Sequence, residues 1–110
     1  MYNPAYDVQT LVITTMTEVS TVEVNTIFTL YQVTVLGDST TGTITLTAKA
    51  RRGDTFEPVV INDAGDPAII DLSGGQRTME VTGSGLNELQ FTPSLLDGSS
   101  YQIVVSCGNL

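Results

Sequence analysis

The chain has 110 residues, 41% of them hydrophobic, with twelve carboxylates against four basic groups for a formal charge of −8. That length suits one domain with a real core and excludes two independent ones. The acidic average surface repels nucleic-acid phosphate and anionic membranes, so neither is an expected partner, and the single cysteine, Cys107, excludes an intramolecular disulfide.

Residues 1–10, MYNPAYDVQT, contain Pro4 and no strand alternation, and they read as an extended N-terminal arm with Tyr2 and Tyr6 as aromatic anchors for a partner. The basic start and apolar run of a signal peptide are missing, and no stretch of about 18 apolar residues could span a bilayer, so assembly in a cytosol is expected. Residues 11–110 read as a single β-sandwich domain. Seventeen threonines, most of them before position 50, set that expectation, because a side chain branched at Cβ favours extended backbone and suits a half-wet pleated surface.

In chain order, TLVITTMTEVSTVEV fits no single template through Leu11, Ile13, Val19 and Val22, and its threonine density favours extended chain. IFTLYQVTVL places Ile27, Tyr31, Val33 and Val35 on one face and Phe28, Leu30 and Leu36 on the other, the pattern of a central strand or of one covered by a partner. TITLTAKA alternates cleanly, with Ile44, Leu46, Ala48 and Ala50 facing a core. The short runs EPVVIN and AIIDL follow, with Pro58 assigning the first to an edge or bulge. TMEVTG offers Met79 and Val81, NELQFTP offers Leu89 and Phe91, and PSLLDGSSY has room for one helical turn. YQIVVSC closes the series with Tyr101, Ile103, Val105 and Cys107 on one face. Dense Gly, Asp, Asn and Pro punctuation separates these runs. Six to nine short strands at such spacing predict an all-β fold, a β-sandwich or small jelly roll behind its arm.

Chemistry is sparse. There is no histidine, so neither an imidazole triad nor a common Cys/His zinc site is available. SGGQR lacks the Gly-Lys-Ser/Thr ending of a phosphate loop, and GSGLNE has only two glycines of a dinucleotide fingerprint. NDAGDP, with Asn62, Asp63 and Asp66, lacks the twelve-residue loop and terminal Glu of an EF-hand and reads as an Asx turn. The remaining carboxylates read as solvated surface, and Cys107, in step with Tyr101, Ile103 and Val105, reads as a buried thiol packed as a hydrophobe. The expectation is a protein that is not an enzyme and has no cofactor or metal.

One cluster stands against the acidic field: LTAKARRGDTFE carries Lys49, Arg51 and Arg52 within four residues. The tripeptide Arg52, Gly53, Asp54 follows from turn chemistry, and an adhesion role would need an extracellular route. Lys49, Arg51 and Arg52 are candidates to contact an acidic partner, including a second copy of this chain, in competition with pairing to Asp54 or Glu57.

The segments GTITLTAKARRGDTFEPV and IDLSGGQRTMEVTGSGLNELQFTPSLLDGSSYQIVV resemble small β-proteins among the virion components of tailed bacteriophages, a group that includes capsid decoration, or cement, proteins. The resemblance spans roughly residues 42–106 and lies in texture: Thr-rich strands, then a Gly-rich SGGQRTMEVTG linker. It implies a virion structural protein that binds a major capsid protein or another virion protein as a dimer or trimer and stabilises the assembled shell, being made in the host cytoplasm. The alternative is a neck, tail or fibre β-domain that joins virion parts or touches a host glycan, for which Tyr2, Tyr6 and Tyr31 are the free aromatics.

Overall fold

The computed structural model describes residues 6–50, 55–58, 68–83 and 85–109. Within them run nine strands: β1 Tyr6–Ile13, β2 Ser20–Glu23, β3 Leu30–Gly37, β4 Thr43–Ala50, β5 Glu57–Pro58, β6 Ile69–Asp71, β7 Thr78–Thr82, β8 Leu86–Ser94 and β9 Tyr101–Gly108. They form two antiparallel sheets, one ordered β1-β9-β3-β7 and the other β2-β8-β4-β5, with β6 also on β4. The pairing is nested: β1 with β9, β2 with β8, β3 with β7, β4 with β6. An antiparallel ribbon of strand pairs wound about one core is the jelly-roll arrangement. The short β5 pairs at Thr47 and Ala48, farther along β4 than β6, which pairs at Thr43 to Thr45.

Alternation decides what the two sheets hold between them. Ile44, Leu46 and Ala48 of β4, Leu89 and Phe91 of β8, Met79 and Val81 of β7, and Tyr101, Ile103, Val105 and Cys107 of β9 are all buried. β3 is central in its sheet, between β9 and β7, and buries Tyr31, Val33 and Val35. Truncating one of these large side chains, Ile103 or Phe91 to Ala, removes its transfer energy and leaves a cavity, a loss of about 2–5 kcal/mol.

Four local expectations change. Residues 6–10, expected to be arm, form the first part of β1, paired from Tyr6 opposite Gly108 to Thr10 opposite Val104. Alternation is hidden there because the core-side positions near the start, Asp7 and Gln9, are polar, and Gln9 Nε2 donates to the Glu23 carbonyl at 2.6 Å. Residues 1–5, with Tyr2, lie outside the described residues. Ile27 does not share the face of Tyr31. A turn in which Phe28 N donates to the Asn25 carbonyl resets the phase, burying Phe28 and leaving Ile27 55% exposed. Tyr31 is not a free aromatic: it is fully buried, its hydroxyl donating to the Phe28 carbonyl at 3.0 Å. PSLLDGSSY holds no helical turn, and Leu95 sits at φ 60. The helical turn among the described residues is a 3-10 turn at Leu72–Gly74, where Asp71 accepts from Ser73 N and Gly75, at φ 83, ends it.

Burial sets an alkaline limit on the fold. It pushes Tyr31 up to about 12 from 10.0 and the Cys107 thiol up to about 11 from 9.0, with Asp7 adding to the latter. Both groups are stabilised in the protonated form, so their contribution is complete below pH 9 and is lost as pH rises through about 11 and about 12. Urea midpoints are expected to hold steady from pH 7 to 9 and fall beyond it, and Cys107→Ala should flatten the early part of that fall. A midpoint that rises above pH 9 would contradict this burial.

Candidate interaction surface

The two outer faces differ in chemistry. On the face of the β2-β8-β4 sheet, cross-strand neighbours engage one another: Thr47 Oγ1 donates to Gln90 Oε1 at 3.2 Å, and Lys49 Nζ lies 3.3 Å from Glu88 Oε1. Lys49 and Glu88 are directly opposed in register, and the ammonium also sits 5.1 Å from the Phe56 ring centroid. Of the sequence-derived candidates, Lys49 is therefore engaged with β8, while Arg51 and Arg52, like Asn62, Asp63 and Asp66, lie outside the described residues. Tyr6 is placed by its backbone alone, at the start of β1.

The outer face of the β1-β9-β3-β7 sheet is rich in β-branched groups. Its cross-strand rows, read from the register, are Val12, Gln102 and Leu36; Thr10, Val104, Thr34 and Thr78; and Val8, Ser106, Gln32 and Glu80. Glu80 is the one charged side chain in these rows, on a chain of net charge −8. Val8 and Leu36 are about half exposed and Val12 more so. Two shallow depressions mark it, about 330 Å³ beside Val12, Leu36 and Gln102 and about 180 Å³ beside Leu30, Gln32 and Ser106. Three strands of eight residues and one of five, about 4.8 Å apart and rising about 3.4 Å per residue, give a face on the order of 450 Å². A standard interface takes about 800 Å² per partner. One such face is about half that size.

The loops at one end of the sandwich are held by Ser39, 1% exposed. Its hydroxyl accepts from Gly98 N at 2.9 Å and faces Met16 Sδ at 3.8 Å, and its carbonyl accepts from Arg77 Nη2 at 2.6 Å. A Cβ on Gly98 would collide with Asp38 Oδ1 and with Ser39, so only glycine fits. Around this hub Asp97 accepts from Thr40 N, Thr40 Oγ1 and Thr41 N, which holds its carboxyl at about 2, and Asp38 accepts from Ser99, which lowers it too. These carboxylates serve the loops.

Among the described residues, no group of three His, Cys, Asp or Glu is placed to hold a metal, and no helix is long and apolar enough to cross a membrane. Sequence pattern pointed to the basic turn and missed the face. Its one signal was the second apolar face of the β3 segment, at Leu30 and Leu36.

No family model matches the chain, and no curated protein matches it. Solved structures do share the fold. The SPBc2 prophage-derived protein YomS aligns over 97% of this chain and 97% of its own, at 14% identity and TM-score 0.57. The PBSX exported protein XepA aligns over 97% of this chain but 39% of its own, at 15% identity and TM-score 0.64. A structure of Bacillus endospore appendages, described as a family of disulfide-linked pili, aligns over 96% of this chain and 88% of its own, at 12% identity and TM-score 0.51.

Ser39→Ala is expected to lower stability by about 1 kcal/mol, because it removes the hydroxyl that accepts from the part-buried Gly98 N–H. Thermal melts give the loss, and amide exchange should show Gly98 losing protection while the strands keep theirs. Full retention of stability would show the hub to be incidental.

Proposed function

We propose that this chain is a bacteriophage virion structural protein that acts by protein contact and, within that class, a capsid decoration protein that binds and stabilises the assembled shell. The observation that carries the reading is the nearly uncharged, β-branched outer face of one sheet on a domain of charge −8, with Glu80 as the one charge in its rows. Charge keeps such a domain dispersed, and the uncharged face supplies area to a partner without desolvating ions. The shared fold of YomS, described as prophage-derived, supports the phage setting. A protein that binds assembled shell and not free subunits shifts the equilibrium toward the shell.

The second reading is a neck, tail or fibre domain. The XepA comparison favours it, since there the same fold is part of a longer chain. Its glycan form is weakened by the burial of Tyr31 and Tyr101. Copy number in purified particles, measured against the major shell protein, separates the readings: hundreds mean decoration, about a dozen mean a joining role, and none overturns both.

Leu36→Glu sits on the exposed face and is expected to leave the fold intact and lower occupancy on particles several-fold. Unchanged occupancy would remove the face from the proposal. Lys49, Arg51, Arg52, Tyr2 and Tyr6 enter as further contacts to the partner. Arg51→Glu with Arg52→Glu is expected to weaken attachment and to flatten its dependence on salt. Exposed pairs are worth about 0–1 kcal/mol each, but a lattice multiplies them by avidity. Equal salt curves for wild type and double variant would remove the basic turn.

A further inference from the structure

The open edges of the two sheets are unequal. β2 is four residues long, and its Glu23 carbonyl is taken by Gln9. β5 is two residues long and contains Pro58. β7 is five residues long and carries Glu80 at its centre. Short length, proline and a central charge each discourage pairing with another chain. β1 is eight residues, YDVQTLVI, with no proline, glycine or lysine, and its one charge, Asp7, lies near one end. Among the described residues nothing pairs with its outer side.

The direction of its backbone groups follows from the ladder. Val35 N donates to the Arg77 carbonyl at 2.8 Å, so odd residues of β3 bond toward β7 and even ones toward β9. In an antiparallel ladder opposed residues either exchange both bonds or neither. Carried through the register of β3 with β9 and of β9 with β1, odd residues of β1 bond inward to β9. Val8, Thr10 and Val12 therefore aim their N–H and C=O groups at the open edge, while their side chains stand on the outer face, Val8 at 49% and Val12 at 66% exposure.

We propose that β1 is a self-pairing edge: two copies of this chain join antiparallel, β1 to β1, about a two-fold axis through Thr10. In that register Val8 lies opposite Val12 of the second copy, Thr10 lies opposite Thr10, and each pair exchanges two backbone hydrogen bonds. The outward pattern Val, Thr, Val is its own complement. Charge favours the arrangement. The two Asp7 carboxylates stand at opposite ends of the seam, about 20 Å apart at about 3.4 Å per residue, beyond the roughly 8 Å screening length of physiological salt. Self-pairing of β7 through Glu80 would instead oppose two carboxylates at about 5.5 Å between Cα atoms. The inference stands on edge geometry and is independent of the phage reading.

Sedimentation velocity of the full chain over a micromolar concentration series tests it. Wild type is expected to show a species of twice the 11.7 kDa chain mass. V8K/V12K places like charges opposite one another and should abolish that species while circular dichroism and the thermal melt stay unchanged. V8K/V12E places opposite charges together in this register alone and should restore it. Thr10→Pro, which removes an N–H aimed at the open edge, gives an independent break should a lysine variant fail to fold. A wild type that remains monomeric throughout, a trimer or larger ring, or equal behaviour of the two charge variants would overturn the proposal.

Discussion

Everything in this fold rests on β9 being paired along both of its edges. Its eight residues lie opposite β1 on one side and β3 on the other. A slip of one position on either side would turn Tyr101, Ile103, Val105 and Cys107 from the core to water, because side chains alternate with period two. The register is held at its start by a close approach: Gly37 lies opposite Tyr101, and a Cβ there, at φ 149, would sit 2.7 Å from the Ser100 carbonyl oxygen. At the same end the Ser39 hub ties the loop after β3 to the loop before β9. Once β9 is set, the nested partners β2 with β8 and β4 with β6 close the second sheet over the same core.

The fold was legible in the sequence wherever one face is apolar and the other polar. β4 and β9 are such strands, and their boundaries and buried positions follow from alternation alone. β1 was not legible, for the opposite reason. Val8 and Val12 point outward, Leu11 and Ile13 inward, and the inward Gln9 is polar because it caps the Glu23 carbonyl across the sandwich. An edge strand that bridges two sheets breaks the pattern that identifies strands. Ile27 and Phe28 were misassigned through a turn whose one-residue change of phase is invisible to a period-two reading. The candidate surface was hidden for a related reason: it is an assembly of rows across β1, β9, β3 and β7, and such rows exist only after the register is known.

Charge is placed unevenly over this acidic chain. Glu88 pairs with Lys49, and Asp38 and Asp97 accept hydrogen bonds from loop groups. These carboxylates sit on one sheet face and one end. The other sheet face, Glu80 apart, is left with threonine, valine, serine, glutamine and leucine, so covering it desolvates few ions. A jelly roll by itself assigns no function, since the same architecture serves unrelated roles. What is particular here is that this face and this edge each carry a single charge, Glu80 and Asp7.

Face and edge also work together geometrically. A two-fold axis through Thr10 runs perpendicular to the sheet, so edge pairing of β1 keeps both outer faces on the same side and joins them into one eight-stranded surface. Each face is on the order of 450 Å² from strand spacing and rise. Alone it falls short of the about 800 Å² per partner of a stable interface, and doubled it reaches that size. Val12 lies at the seam, lining the depression it shares with Leu36, so the joined surface is continuous across the axis. Self-association through β1, as proposed, would turn a weak face into an adequate one. The same edge that is a hazard in a solitary domain would then serve to double the surface offered to a partner.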